Sequence, residues 1–188
     1  MPKKNLSYKN RGMFLENIIN ETNNYYLEKD RAIIYKKPTP IKVLNVEYRT
    51  KKTTMINKAV FSHTSTLDYN GIYKGHYIEF DAKECKNTTS FPLSNIEEHQ
   101  ILHIKRILNH GGIVFLIIFM NNKFYLLKGS TLINFINNNI NNNERKSIPF
   151  DVINEYAYII KEGFIPRLDY LSVVEKVYLK EGENEISK

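Results

Sequence analysis

The chain has 188 residues, 42% of them hydrophobic, which is enough for one compact core. Lysine and arginine (27) outnumber aspartate and glutamate (20), and the net charge of +7 suits a polyanionic partner such as nucleic acid or an acidic membrane surface. A single cysteine excludes an intramolecular disulfide and favours a reducing compartment. No signal-peptide pattern opens the chain and its longest apolar run is too short to span a bilayer, so we expect a cytoplasmic protein with no membrane partner.

The first part of the chain predicts a basic arm, a helix and a short strand. Residues 1–10 are basic with few apolar anchors and are expected to be a flexible arm. Apolar and aromatic residues at three- and four-residue spacing predict a helix over residues 11–26. Its expected core face contains Phe14, Ile18, Thr22 and Tyr25. A strand over residues 32–35 should end at the two prolines of residues 37–40.

Residues 41–61 predict a long, bulged hairpin whose tip carries Arg49, Lys51 and Lys52. Few of its side chains could reach a core, so we expect residues 42–61 to project as a stalk inserted in the core domain. Asn70-Gly71 then predicts a turn, followed by a strand over residues 72–84.

The second half of the chain predicts further helices around another hairpin. Ser94 and Glu97 have the spacing of a capping box, which would open a helix to about Asn109 with a buried stripe of Ile101, Ile104 and Leu108. Residues 113–120 and 123–127 predict a hairpin through two asparagines, and a helix should begin at residues 132–136. We expect a flexible loop at residues 137–143, a helix at 151–162 and a frayed tail at 181–188. Together these elements predict a single α/β domain over residues 1–188.

The chemistry is expected around the strand that contains Glu79, Asp81 and Lys83. Strand alternation places these three side chains on one face, and the turn after Asp68 could bring a second carboxylate to Asp81. Two close carboxylates repel each other unless a proton or a cation lies between them, and their hard oxygens suit Mg²⁺, with Mn²⁺ as a substitute. Strands also carry solvated charges on their outer faces, so this pattern alone leaves both a metal site and a simple polar surface open.

If this pattern is a metal site, the activity that it predicts is that of a metal-dependent nuclease. Phosphodiester hydrolysis needs a positioned water, neutralisation of the phosphoryl oxygens and help for the leaving alkoxide, and bound metal ions can provide all three. Lys83 would add a fixed positive charge at the scissile phosphate.

Short motifs along nearly the whole chain resemble the RecU family of bacterial Holliday junction resolvases. The strings that carry the resemblance are residues 10–13, 22–26, 37–41, 65–71, 73–75, 82–84, 89–93, 99–100, 145–148 and 166–171, for example Lys37-Pro38-Thr39-Pro40-Ile41 and Pro166-Arg167-Leu168-Asp169-Tyr170-Leu171. They occur in order and are far more specific than the acidic pattern.

The resemblance implies a restriction-endonuclease-like core, with a mixed central sheet flanked by helices and a protruding β-hairpin stalk that enters the junction centre. It also implies a homodimer that makes symmetric, Mg²⁺-dependent cuts in four-way DNA junctions during recombination and repair and leaves 5′-phosphate ends. Further partners would be recombinase or branch-migration proteins. A catalytically weak or inactive junction-binding protein that modulates recombination is the alternative.

The resemblance also implies roles for individual residues. Thr66, Asp68, Asp81 and Gln100 match the family's metal site, and Lys83 its transition-state stabiliser, so Asp68, Asp81 and Lys83 are the expected catalytic set. Asp81 stands where a glutamate is common, which retracts the carboxylate oxygens by one methylene. Leu67 and Cys85 stand where threonines are common.

Basic residues near the arm, the prolines and the stalk are expected to contact DNA phosphates. They are Lys3, Lys4, Arg11, Lys36, Lys37, Arg49, Lys51 and Lys52. Glu16 and Glu79 could support the site or be solvated carboxylates. His99 and His103 have a zinc-like spacing, but no third ligand is evident and a structural role is favoured. Cys85 has no assigned base, so it is interpreted as a packing residue rather than a nucleophile.

Overall fold

A computed structural model describes residues 13–48, 54–61, 66–142 and 146–180. Its helices are α1 (Met13–Glu28), α2 (Glu98–Asn109), α3 (Gly129–Asn142), α4 (Phe150–Tyr156) and α5 (Tyr170–Val174). Its strands are β1 (Ile33–Lys36), β2 (Ile41–Tyr48), β3 (Thr54–Phe61), β4 (Tyr69–Tyr73), β5 (His76–Glu84), β6 (Ser90–Pro92), β7 (Ile113–Met120), β8 (Lys123–Lys128), β9 (Ser147–Pro149) and β10 (Tyr158–Ile160).

The centre of the fold is a six-stranded mixed sheet in the order β1-β4-β5-β7-β8-β10. β5 and β7 pair in parallel, and the other neighbours pair antiparallel. The crossover from β5 to β7 contains α2, as a parallel pair requires a long connection. The predicted α/β architecture, a mixed sheet flanked by helices, is therefore confirmed.

Apolar residues fill both faces of the sheet, and β7 supplies side chains to both. Phe115 and Ile117 lie in the core that contains Tyr26 of α1 and Tyr170 of α5, while Leu116 lies in the core beneath α2 and α3. The near-continuous apolar sequence of β7 is what a strand covered on both faces needs. No helix among the described residues has both the length and the apolar composition needed to cross a bilayer.

Helix α1 uses a core face shifted from the predicted one. Ile18 and Thr22 are buried as expected, but Phe14 is 43% exposed and Tyr25 is half-buried. The buried face instead includes Leu15, Ile18, Ile19, Thr22, Asn23 and Tyr26. Aromatic residues flank this face on both sides, so the periodicity alone could not predict which of them would be buried in the core.

The hairpin of β2 and β3 stands apart from the central sheet. The two strands pair antiparallel with register shifts on both sides of Asn45, as the predicted bulge requires, and form a two-stranded sheet of their own. Their side chains at Ile56 and Phe61 are exposed. The tip at residues 49–53 lies outside the described residues, as do the expected arm at 1–10 and tail at 181–188. The role of residues 42–61 as a stalk stays a prediction.

The turn predicted at Asn70-Gly71 is wrong, because both residues lie inside β4. The chain reverses at Lys74 and Gly75, whose φ angles of 49° and 79° form the hairpin turn. Gly71 has a different reason to be glycine: a Cβ there would lie 2.0 Å from the backbone oxygen of Ile33. The glycine therefore permits β1 to pack closely against β4.

Gly71→Ala is expected to destabilise the protein by about 3 kcal/mol, because the added methyl group meets backbone that cannot move without separating two paired strands. Gly75→Ala is the matched control, since a Cβ there meets nothing within 4 Å and only the positive φ adds a cost, about 1 kcal/mol. Urea unfolding of both variants measures the difference. Equal destabilisation would contradict this explanation of Gly71.

Two other predicted boundaries move. The capping box is formed by Glu97 and Gln100 rather than by Ser94 and Glu97, and Leu93–Asn95 is a 3₁₀ turn before it; the helix still ends at Asn109. The helix predicted over 151–162 ends at Tyr156, because Tyr158–Ile160 completes the edge of the central sheet.

The asparagine-rich segment is helical through Asn142, so the predicted loop is wrong for residues 137–142, and residue 143 lies outside the described part. Leu132, Ile133 and Ile136 are buried in the core under α2. This packing fixes the first turns of α3, and the helix continues from them into the asparagines in spite of their low helix propensity.

Candidate active site

Strand β5 presents three polar side chains to the α2 side of the sheet. Alternation puts Ile78 and Phe80 in the core beneath α1, and turns Glu79, Asp81 and Lys83 the other way. Asp81 is 0% exposed and Glu79 is 1% exposed, so these carboxylates are not solvated surface charges. Burial of a charged group is costly unless partners compensate it, and both groups have such partners.

Asp81 is held by three donors. Lys83 Nζ and Gln100 Nε2 lie 2.8 Å and 2.9 Å from its Oδ2 atom. The Ala82 backbone amide donates to Oδ1 at 3.0 Å. Because two of these donors come from β5 itself and the third from α2, the orientation of the Asp81 carboxylate is set by both elements.

Asp68 lies in the segment that leads into β4, and its carboxyl group contacts that of Asp81. Its pKa is raised to about 7, first by burial and then by the hydrogen bond to Asp81 and the repulsion of that carboxylate; Lys83 opposes this shift. The two acids are therefore close enough for one proton to be held between them near neutral pH. The predicted juxtaposition of Asp68 and Asp81 is present in the structure.

Gln100 joins the elements around the two acids. Its Nε2 atom donates to Asp81 and, at 3.2 Å, to the backbone oxygen of Thr66, while its Oε1 atom accepts from the Glu97 amide at 3.2 Å. The Thr66 hydroxyl accepts a hydrogen bond from Lys37 Nζ at 2.7 Å. In this arrangement Gln100 orients a carboxylate, and the expected metal contacts of Gln100 and Thr66 stay predictions.

A divalent cation fits the chemistry of this donor set. A buried and a half-buried carboxylate that repel each other strongly enough to hold a proton supply the hard oxygen ligands that Mg²⁺ prefers. Groups of three or more His, Cys, Asp and Glu side chains suited to a metal do not occur in the described residues.

Asp68 and Lys83 line a cleft of about 580 Å³ that can receive a polar ligand, and the buried Asp81 lies behind them. Its lining includes Glu16, Asp68 and Lys83, together with Asn87 and Asn95. Glu16 forms an ion pair with Lys36 and adds to the negative potential at Asp68. The predicted supporting position of Glu16 is thus at the mouth of the site.

A second group of polar side chains, the Glu79 cluster, comprises the buried Glu79 and its partners Lys37, Tyr77 and His103. Lys37 Nζ and His103 Nε2 both contact Glu79 Oε1, and the distance from His103 Nε2 is 2.8 Å. The Tyr77 hydroxyl donates to Glu79 Oε2. Opposite charge and hydrogen bonds to Lys37 and Tyr77 lower the pKa of Glu79 in spite of its burial. Sequence reasoning missed this cluster, although alternation had placed Glu79 on the Asp81 face.

Lys37 and His103 were both candidates from the sequence, and their contacts with Glu79 show what each side chain does. Lys37, expected at a DNA phosphate, directs its ammonium group inward to Glu79 and Thr66. His103 contacts Glu79 while His99 contacts Glu97 at 3.3 Å, so the two histidines serve separate contacts, in agreement with a structural role. Of the other expected DNA contacts, Lys36 forms an ion pair with Glu16. The rest, Lys3, Lys4, Arg11, Arg49, Lys51 and Lys52, lie outside the described residues.

Cys85 behaves as a packing residue. Its thiol donates to the backbone oxygens of Asn87 and Ser90, both at 3.5 Å, and its side chain packs against the core beneath α2. Burial raises the pKa of the Cys85 thiol, which disfavours the thiolate needed by a nucleophile.

Comparison with known proteins connects this site to one family. The family model described as Recombination protein U matches residues 10–176. The Holliday junction resolvase RecU of Bacillus subtilis is 48% identical over 176 residues, covering 94% of this chain and 85% of the relative. The resolvases of the same name from Geobacillus sp. and Oceanobacillus iheyensis are 49% and 46% identical, covering 92% and 93% of this chain and 86% and 89% of the relatives.

Proposed function

Because this chain belongs to the Recombination protein U family, we propose that it is a Holliday junction resolvase that cuts four-way DNA junctions in recombination and repair. In this proposal the reaction depends on Mg²⁺, which Mn²⁺ can replace, and leaves 5′-phosphate ends. The substrate is recognised by its branched shape, and the protein acts in the cytoplasm.

The observation that carries the proposal is the contact of the buried Asp81 with Asp68 and Lys83, both of which line one cleft. Asp81 Oδ2 lies 2.8 Å from Lys83 Nζ, and Asp68 shares a hydrogen bond with Asp81. This combination provides two oxygen ligands for a cation and one fixed positive charge. A simple DNA-binding surface needs no pair of mutually repelling carboxylates that nucleic acid would also repel.

Each residue of the cluster has a distinct role in phosphodiester hydrolysis. Asp68 and Asp81 would hold the divalent ion, which when bound supplies Lewis-acid chemistry at the phosphate. Lys83 offsets the negative charge that develops on the phosphoryl oxygens. Gln100 keeps Asp81 oriented by donating to the Oδ2 atom at 2.9 Å.

Two equivalent subunits explain how one small active site resolves a junction. A four-way junction becomes two linear duplexes only when opposed strands are both cut, and a twofold homodimer presents two identical sites related by symmetry. The stalk at residues 42–61 would enter the junction centre, and recombinase or branch-migration proteins would be further partners.

The direct test is incubation of a strand-labelled four-way junction with the protein and Mg²⁺ or Mn²⁺. We expect nicks at symmetric positions in two opposed strands and none in linear duplex of the same sequence. Tight junction binding without nicking in either metal would overturn the enzymatic proposal. That outcome would instead support the alternative, a junction-binding protein that modulates recombination.

A further inference from the structure

Three hydrogen bonds connect the segment 66–68, which contains Asp68, to Lys37 of the Glu79 cluster and to α2. The Thr66 hydroxyl accepts from Lys37 Nζ at 2.7 Å, the Thr66 carbonyl accepts from Gln100 at 3.2 Å, and the Lys37 amide donates to the Asp68 carbonyl at 2.7 Å. Lys37 therefore contacts the segment on both sides of Leu67, once through its side chain and once through its backbone. Leu67 itself is 0% exposed, which adds an apolar anchor between them.

The Lys37 ammonium group is itself held by Glu79. Glu79 is 1% exposed, and both of its oxygens have partners, from Lys37, Tyr77 and His103. A buried carboxylate with this set of donors fixes the ammonium group in one position, because moving it would leave a buried charge without its partner. Glu79 also lies two residues before Asp81 on β5, so the contact of Lys37 with Glu79 connects the strand that supplies Asp81 to the segment 66–68 that supplies Asp68.

We propose that Lys37 and Glu79 form a positioning pair that sets the separation of Asp68 from Asp81 and thereby the affinity for the divalent ion. The inference rests on the proposed function for the identity of the ligand. It assigns Lys37 an inward, positioning role rather than a contact with a DNA phosphate. Loss of a partner that orients a metal ligand in this way usually lowers the affinity for the metal by about 10- to 100-fold.

The test measures Mn²⁺ binding to metal-free protein by calorimetric titration. Lys37→Met is expected to raise the Kd for Mn²⁺ by about 10- to 100-fold. Lys105→Met is the matched control: it removes the same charge from α2, where the ammonium group contacts Asn137 at 3.4 Å, and should keep the wild-type Kd. An unchanged Kd in folded Lys37→Met protein would overturn the proposal.

A second variant keeps the test valid if the single change prevents folding. Lys37→Met combined with Glu79→Gln removes both charges of the pair, while the amide introduced at position 79 would retain partners in Tyr77 and His103. The double variant is expected to fold and still to bind Mn²⁺ about 10-fold more weakly, since Thr66 has lost its donor. Wild-type affinity in the double variant would overturn the proposal.

Junction binding in EDTA distinguishes positioning from direct DNA contact. Lys37→Met should bind the junction with the wild-type affinity and salt dependence, whereas loss of a phosphate contact would reduce the slope of log K against log salt concentration by about one. Such a reduced slope would contradict the inward role. Wild-type protein that binds Mn²⁺ but cuts no junction would overturn the proposed function and leave the outcome of the Mn²⁺ titration to decide the positioning role.

Discussion

Lys83→Met is expected to slow junction cleavage by about 10²- to 10³-fold, the usual effect of removing one donor that stabilises transition-state charge. Methionine keeps most of the packing volume of the lysine, whose side chain is 21% exposed, but removes the ammonium group 2.8 Å from Asp81. Asp81 keeps its bonds to Gln100 and to the Ala82 amide. The substitution should therefore affect the chemical step more than the fold.

Single-turnover cleavage at saturating protein measures this effect without a contribution from junction affinity. Lys123→Met is the matched control, because Lys123 lies exposed at the β7–β8 turn, is not among the residues that line the cleft, and its loss changes the net charge equally. We expect the control to cut at the wild-type rate. A Lys83→Met protein that also does so would remove Lys83 from the mechanism.

Asp68→Asn is expected to abolish cleavage, with a loss of about 10³-fold or more, because a neutral amide cannot replace a charged oxygen ligand worth several kcal/mol at the transition state. The same substitution should stabilise the metal-free protein at pH 8. Burial and Asp81 raise the pKa of Asp68 from 3.8 to about 7, so the ionised Asp68 is unfavourable in the folded state. Asparagine removes that unfavourable charge.

The pH dependence of the free energy of unfolding explains why Asp68→Asn should be the more stable protein. Between pH 3.8 and about pH 7 the folded protein keeps a proton on Asp68 that the unfolded chain releases, so the wild type loses stability as the pH rises through this window. Asp68→Asn has no such loss. Allowing for solvent screening of a partly exposed group, we expect the variant to be more stable by about 1–2 kcal/mol above pH 7, with most of the difference absent at pH 4.5.

Urea unfolding in EDTA at pH 4.5 and pH 8 measures this difference. Addition of Mg²⁺ at pH 8 should then stabilise the wild type and leave the variant unchanged, because a ligand that binds only the folded state shifts the unfolding equilibrium. Equal stabilisation of both proteins by Mg²⁺ would place the metal away from Asp68. A variant less stable than the wild type at pH 8 would contradict the claim that ionised Asp68 destabilises the folded, metal-free protein.

The central features of the site were predictable because they depend on local patterns. Strand alternation correctly placed Glu79, Asp81 and Lys83 on one face, since the two-residue period follows from strand geometry alone. The proximity of Asp68 to Asp81 was expected from a hairpin, although the turn of that hairpin lies at Lys74 and Gly75 rather than at Asn70-Gly71. The family resemblance placed Gln100 at the metal site, but its contact with Asp81 was not predicted, because that contact depends on how α2 packs across the sheet.

The predictions that failed concern residues whose local preference was overridden by packing. Asn70-Gly71 has a strong turn preference, yet close approach of β1 requires Gly71 inside a strand. The asparagines after Ile136 favour a loop, but the buried start of α3 continues into them as a helix. The inward direction of Lys37 depends on a buried partner 42 residues later in the chain, a separation that no local pattern reports.

The central claim, that Asp68 and Asp81 together bind the catalytic ion, is tested most directly by a crystal soaked in Mn²⁺ under conditions in which the protein cuts junctions. The anomalous difference map should contain a peak within coordination distance of a carboxylate oxygen of each acid, and the Asp68→Asn crystal should lack it. A strong peak at other residues, or no peak between the two acids in active protein, would contradict the claim.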